Sequence, residues 1–144
     1  MVIFTEVLRP PIWVLAFIYF MFLSLVIAIW AALDTTATMV ALAIATLAIP
    51  FIARSLTSRI RVDQNELRID KAHIALKYLG KVTVLDSNAM RLLRTRDADP
   101  AAFLAIKFWA SKGIKIEVTD PRDSTPYWLV TSKRGEKLAA LLTK

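Results

Sequence analysis

Hydrophobic positions change their spacing along the chain near residue 54. Ile12 to Leu33 is an apolar run of 22 residues without a charge, and Thr35 to Ala53 is a second run, divided from the first by Asp34. As a helix the first run would be roughly 33 Å long at about 1.5 Å per residue, the thickness of a bilayer core. The pattern predicts a transmembrane helical hairpin with spans at 12–33 and 35–53. Beyond it the period shortens to two. Arg59–Val62 and Leu67–Asp70 flank the polar Asp63–Glu66 segment and predict a β-hairpin. Ala72–Leu79 and Lys81–Leu85 predict two more strands with Gly80 as the breaker. Asp86 or Ser87 caps a predicted short helix through Ala89, Met90, Leu92 and Leu93, ended by Asp97–Pro100. Phe103–Trp109, Lys115–Thr119 and Tyr127–Thr131 predict three strands, the last two joined by the Asp120–Pro126 loop. Gly135–Leu142 reads as a terminal amphipathic helix.

This order predicts an α+β, mostly antiparallel β domain after the membrane hairpin. Seven antiparallel strands and a C-terminal helix resemble a PH-like (pleckstrin-homology-like) barrel, as in bacterial membrane proteins that join a helical hairpin to such a domain. A different α+β roll has the same element order. The expected division is 1–55 for the N-terminal segment and hairpin and 56–144 for a basic cytoplasmic domain. At roughly 90 residues that domain is at the lower end of ordinary size. The sequence shows no internal repeat and no low-complexity segment.

Small residues recur every four positions in both spans: Ser24, Ala28 and Ala32 in the first, Ala37, Ala41 and Ala45 in the second. Folding the chain at 33–36 would set Ala32 against Ala37, Ala28 against Ala41 and Ser24 against Ala45, a spacing that lets backbones approach closely in lipid. The same stripes could serve a homo-oligomer. Trp13 and Trp30 are spaced as two interfacial anchors. Pro50 removes a backbone donor near the inner end of the second span. Neither span contains an ionisable residue, which argues against a transporter or channel acting alone.

Charge adds orientation. Of 19 Lys and Arg, only Arg9 precedes Arg54, leaving 18 bases against 10 acids from Arg54 onward. Arg54, Arg59 and Arg61 follow the second span directly, and the hairpin loop has no base. Positive residues favour the cytoplasmic side, so both termini are expected in the cytoplasm of a bacterial inner (plasma) membrane. A cleaved signal peptide fits less well, because the apolar run exceeds a usual h-region. With no cysteine, disulfides and thiolate chemistry are excluded.

Candidate chemistry is sparse. His73 is the single histidine, so a histidine-rich metal site is excluded. Asp97, Asp99, Asp120 and Asp123 stand beside prolines and turns, where aspartates bond their own backbone. Three glycines leave no phosphate-cradling loop. No catalytic, cofactor-binding or metal-ligating residue is assigned. Trp109, Tyr127 and Trp128 could stack on bases, but aromatics on strands more often fill cores, which argues against nucleic acid. Tyr127 and Trp128 should face opposite sides of one strand, one inside and the other towards the surface. The basic residues Arg54, Arg59, Arg61, Arg68, Lys71, Lys77 and Lys81 cluster near the membrane exit, and Arg91, Arg94 and Arg96 form a second group.

The last third carries a family resemblance. Asp97-Ala98-Asp99-Pro100 with Phe103, then Asp120-Pro121-Arg122-Asp123-Ser124-Thr125-Pro126-Tyr127-Trp128-Leu129-Val130-Thr131-Ser132, resembles an actinobacterial family of small membrane proteins known as domain of unknown function 3093. The two-span start, Leu85-Asp86, Phe108-Trp109 and the basic, Leu- and Ala-rich end are also similar. The resemblance implies an actinobacterial inner-membrane protein and implies no activity. The resulting expectation is a non-catalytic membrane protein. Its basic domain binds anionic lipid headgroups or scaffolds a protein partner through Arg59, Arg61, Arg68, Lys71 and Trp128. The alternatives are an accessory subunit of a larger membrane complex and an enzyme acting on lipid or envelope precursors.

Overall fold

A computed structural model describes residues 1–143 and divides the chain into two compact units, Met1–Leu8 with Ser58–Lys144, and Arg9–Thr57. The second unit is the helical hairpin. Helix α1 spans Ile12–Ala32 and helix α2 spans Thr35–Leu56. Asp34 starts α2 as its N-cap: Oδ1 accepts from Ala37 N at 2.8 Å, satisfying one of the first-turn donors that otherwise lack partners. Pro50 lies inside α2, and the helix continues past it. Both helices are long and apolar enough to cross a membrane. Large apolar side chains along both are exposed, among them Phe17, Phe20, Leu25, Ile44, Leu47 and Phe51, unlike helices that form the core of a water-soluble domain.

Tyr19 and Thr46 join the helices, with Oη and Oγ1 3.0 Å apart. The Thr46 hydroxyl already donates to Leu42 O at 2.9 Å, so Tyr19 is the donor between helices. The more shielded side of α1 carries Tyr19, Phe22, Leu23, Val26 and Ile29, while that of α2 carries Ala37, Ala41 and Ala45. The expected face-to-face matching of small residues is therefore corrected. Ser24, Ala28 and Ala32 are exposed, because the bulkier side chains of α1 occupy the side marked by the Tyr19 bond.

Among the described residues, the other unit contains eight strands. β1 (Val2–Leu8), β2 (Ser58–Asp63), β3 (Glu66–Ile69) and β4 (Ala72–Ala75) form one antiparallel sheet in the order β1-β2-β3-β4. A 3-10 turn at Leu76–Tyr78 leads to the second sheet. That sheet contains β5 (Leu79–Leu85), β6 (Phe103–Ala105), β7 (Gly113–Val118) and β8 (Tyr127–Thr131), ordered β5-β7-β8-β6. β6 runs parallel to β8 and the other pairs are antiparallel. Helix α3 (Ser87–Arg94) intervenes between β5 and β6, and α4 (Gly135–Leu142) follows β8. The domain is thus α+β, as expected, but with eight strands and one parallel pair instead of seven antiparallel strands.

The extra strand is β1. Residues 1–8, expected to belong with the hairpin, pair with β2 from Phe4↔Val62 to Leu8↔Ser58. Alternation explains the core. Phe4, Leu8, Ile60, Val62, Leu67, Ile69 and Ile74 from the first sheet meet Ile114, Ile116, Trp128 and Val130 from the second, with Leu138 and Ala139 of α4. At about 1.5–3 kcal/mol per buried large side chain, this cluster is the main source of the domain's stability. A smaller cluster of Leu85, Met90, Tyr127 and Leu129 lies on the opposite face of β8 and includes α3. β8 is therefore buried along both faces.

Candidate functional site

The outward face of the first sheet collects most of the basic residues singled out in the sequence. Inward positions alternate cleanly along β2 and β3, leaving Arg59, Arg61 and Arg68 exposed on the other face. Register then sets them side by side. Arg61 is the cross-strand partner of Thr5 on one side and Arg68 on the other, and Arg68 is in turn opposite His73. Two guanidinium groups and an imidazole thus occupy one row across three strands. Like charges directly opposite each other in a sheet are destabilising.

Local acids relieve only part of this charge. Arg68 pairs with Glu66, two residues away on its own strand. Asp70, with a left-handed φ of 54° in the β3–β4 turn, accepts from Ser58 Oγ and Arg59 N, both at 2.8 Å. Its carboxylate thus holds backbone and a buried hydroxyl in place of the Arg59 side chain. Among the described residues, the guanidinium groups of Arg59 and Arg61 and the Lys71 amine have no ion-pair partner. Lys71 is exposed in the same turn as Asp70. On β1, Ile3 is 52% exposed and Val7, opposite Arg59, is 42% exposed. The face is therefore basic in the middle and apolar along one edge.

Trp128 leaves this set. It is 5% exposed and packs on Phe103 with ring centroids 4.6 Å apart. Tyr127, expected to alternate with it between core and surface, is buried as well, because α3 covers the second face of β8. Lys77 and Lys81 fall outside the first sheet, on the 3-10 turn and on β5 of the second sheet. Lys77 lies over the Tyr78 ring at 4.7 Å. The α3 cluster disperses into local bonds: Arg91 to Asn88, Arg94 to Ala110 O, and Arg96 to Asp97. The aspartates make the turn contacts their sequence context predicts. Asp99 accepts from Ala101 N, Asp120 from Arg122 N and Asp123 from Thr125 N. For Asp120 the Arg122 backbone bond, then the Arg122 side chain, holds the carboxyl below its usual value. Thr125 does the same for Asp123.

Two features of the domain had little sequence signal. Glu6 on β1 faces inward and is 4% exposed. Its Oε2 accepts from Ser132 Oγ at 2.5 Å and its Oε1 from Lys133 N at 2.8 Å. Arg134 reaches back to β1, donating to Thr5 O at 2.6 Å with its guanidinium 4.9 Å from the Phe4 ring centre. The first strand and the β8–α4 turn are thereby clasped together across the length of the sequence. The second feature is a cleft of about 380 Å³ bordered by that turn, the end of β5 and the start of β7.

No curated protein and no solved structure matches this chain. A family model does, over residues 3–142, which takes in β1 from Ile3, the hairpin and the β domain through the end of α4. The chain belongs to the family described as protein of unknown function (DUF3093).

Proposed function

We propose that this is a two-span inner-membrane protein, with both termini cytoplasmic, whose first sheet lies on the anionic headgroups of the leaflet. The observation that carries the reading is the outward row of Arg61, Arg68 and His73, with Arg59 beside it and apolar Ile3 and Val7 at its edge. Arg59 and Arg61 stand three and five residues beyond Leu56, the last residue of α2. Extended chain therefore limits their Cα atoms to within about 11 and 18 Å of that helix end. Anionic leaflets attract each nearby base by about 1 kcal/mol. Arg59 and Arg61, which have no ion-pair partner among the described residues, would then contribute about 2 kcal/mol, a preference of roughly 30-fold. The role is non-catalytic docking, and a PH-like use of a β domain at a membrane fits it.

The test uses the absence of native cysteine. A spin label on V7C in the full chain is reconstituted into neutral phosphatidylcholine vesicles or into vesicles with phosphatidylglycerol. The expected result is loss of accessibility to a water-soluble relaxant only with the anionic lipid, abolished in R59Q/R61Q/R68Q and weakened by salt. Equal accessibility in both vesicles refutes the proposal.

A second reading, an accessory subunit of a membrane complex, is favoured by Ser24, Ala28 and Ala32, which are exposed on α1. Stoichiometric co-purification of another membrane protein from mild detergent, lost in A28L, would support it.

A further inference from the structure

From the cleft at the β8–α4 turn we infer a second binding site, independent of the first sheet's basic face, for a phosphate-bearing anion. Its rim carries Lys112, Lys133, Arg134 and Lys137, with Glu136 as the one acid. The lysines come from separate segments: Lys112 precedes β7, Lys133 lies in the turn and Lys137 is on the first turn of α4. None of the three lysine ammonium groups has a hydrogen bond or ion pair among the described residues. Elsewhere in the domain, arginines such as Arg68, Arg96 and Arg122 each find a carboxylate within two residues. Three uncompensated ammonium groups around one concavity repel each other and lower the energy of an anion placed among them.

The concavity is held in shape. Ser132 is 1% exposed, donates a hydrogen bond to Glu6 and accepts one from Arg134 N at 3.1 Å. Lys133 N is fixed by Glu6, and Arg134 by Thr5 O. The backbone carrying Lys133 is therefore set before any ligand arrives, so less ordering cost attends binding. Arg134, as N-cap of α4, makes no side-chain cap. The first-turn N–H groups add favourable partial charge but do not define the site. Val84 and Leu85 supply an apolar wall, which suits a phosphate attached to a carbon skeleton. The volume admits a group the size of a phosphorylated headgroup or small metabolite. The recognised chemistry is the phosphate dianion or diphosphate, whether free or at the head of a lipid.

The full chain in nanodiscs of neutral phosphatidylcholine would be titrated with inorganic pyrophosphate by calorimetry. Saturable binding is expected, weakened about tenfold or more in K112Q/K133Q/K137Q and retained in the charge-conserving K112R/K133R/K137R. Matching melting curves of the variants would establish that all are folded. Displacement of pyrophosphate on moving to nanodiscs containing phosphatidic acid assigns the site to a lipid headgroup. Unchanged binding assigns it to a soluble ligand. Absence of saturable binding in the parent chain overturns the inference, as does equal affinity in the glutamine variant. R59Q/R61Q/R68Q should bind pyrophosphate normally, which separates this result from failure of the docking proposal.

Discussion

Glu6→Ala should cost the β domain about 3 kcal/mol. The carboxylate is 4% exposed and accepts two hydrogen bonds, from Ser132 Oγ and Lys133 N. Hydrogen bonds to a charged group contribute about 1.5–3 kcal/mol each. Truncation loses both and leaves a buried hydroxyl and a backbone N–H without partners, partly offset because the Glu6 carboxylate no longer has to be desolvated. For a domain of this size 1 kcal/mol shifts the melting temperature by about 4–8 °C, so a fall of about 12–24 °C is expected. Glu6→Gln keeps the shape and one acceptor and should fall between parent and alanine variant. The assay is thermal unfolding of the full chain in detergent, followed by near-UV circular dichroism of the buried Trp128. Val7→Thr serves as control, being on the same strand but outward, and should stay within about 0.5 kcal/mol. A double-mutant cycle with Ser132→Ala isolates the pair, and contacting groups couple by about 0.5–3 kcal/mol. Equal melting of E6A and V7T, or strictly additive E6A and S132A, would refute the clasp.

Two further outcomes follow from the geometry. A Cβ at Gly113 would lie 2.1 Å from Val130 O and 2.2 Å from Met90 Cε. Gly113→Ala should therefore destabilise by about 3 kcal/mol or more, visible as proteolysis of the domain under conditions where the parent resists. Asp120 and Asp123 have folded pKa values below their ordinary ones. Their contribution to ordering the 120–126 loop is fully present above the ordinary carboxylate range and is lost as pH falls through the lowered values. Amide resonances of Arg122 and Thr125 should titrate below that range, and midpoints at or above it would contradict the bonds described.

Much of the fold is legible because β2 and β3 alternate strictly and Asp86 caps α3 through Ala89 N. The failures have local causes. β1 is masked because its inward series is Phe4, Glu6, Leu8, with a carboxylate where an apolar residue is expected, while Ile3 and Val7 point outward. Phe103–Trp109 has strand composition throughout, but β6 stops at Ala105. Lys107 N bonds Thr131 Oγ1, and a turn closes from Ala110 N to Lys107 O. Gly80, expected to break a strand, lies within β5, where an added Cβ would approach Thr119 Cγ2 at 3.0 Å. In the site, alternation placed Arg59, Arg61 and Arg68 on one face, but no local pattern reveals that β8 is covered on both sides, with Trp128 in the main core and Tyr127 in the smaller cluster that includes α3. The cleft was illegible for a related reason: Lys112 and Lys133 are distant in sequence and meet only through the β7–β8 register, in which Gly113 opposes Thr131.

The pairing of β1 with β2 makes the hairpin an excursion between two neighbouring strands of one sheet. Leu8 and Ser58 are cross-strand partners, so their Cα atoms are about 5 Å apart. That gap is what a two-residue Asn-Gly turn spans. Replacing Arg9–Thr57 with such a turn would reconnect the sheet without altering its register and would yield a water-soluble β domain. In the natural chain the same pairing imposes an order on synthesis: β1 emerges first but has no neighbour until both helices have been made and β2 follows. Until then Val2–Leu8 is an unpaired strand, and the ribosome must complete the excursion before the domain can close.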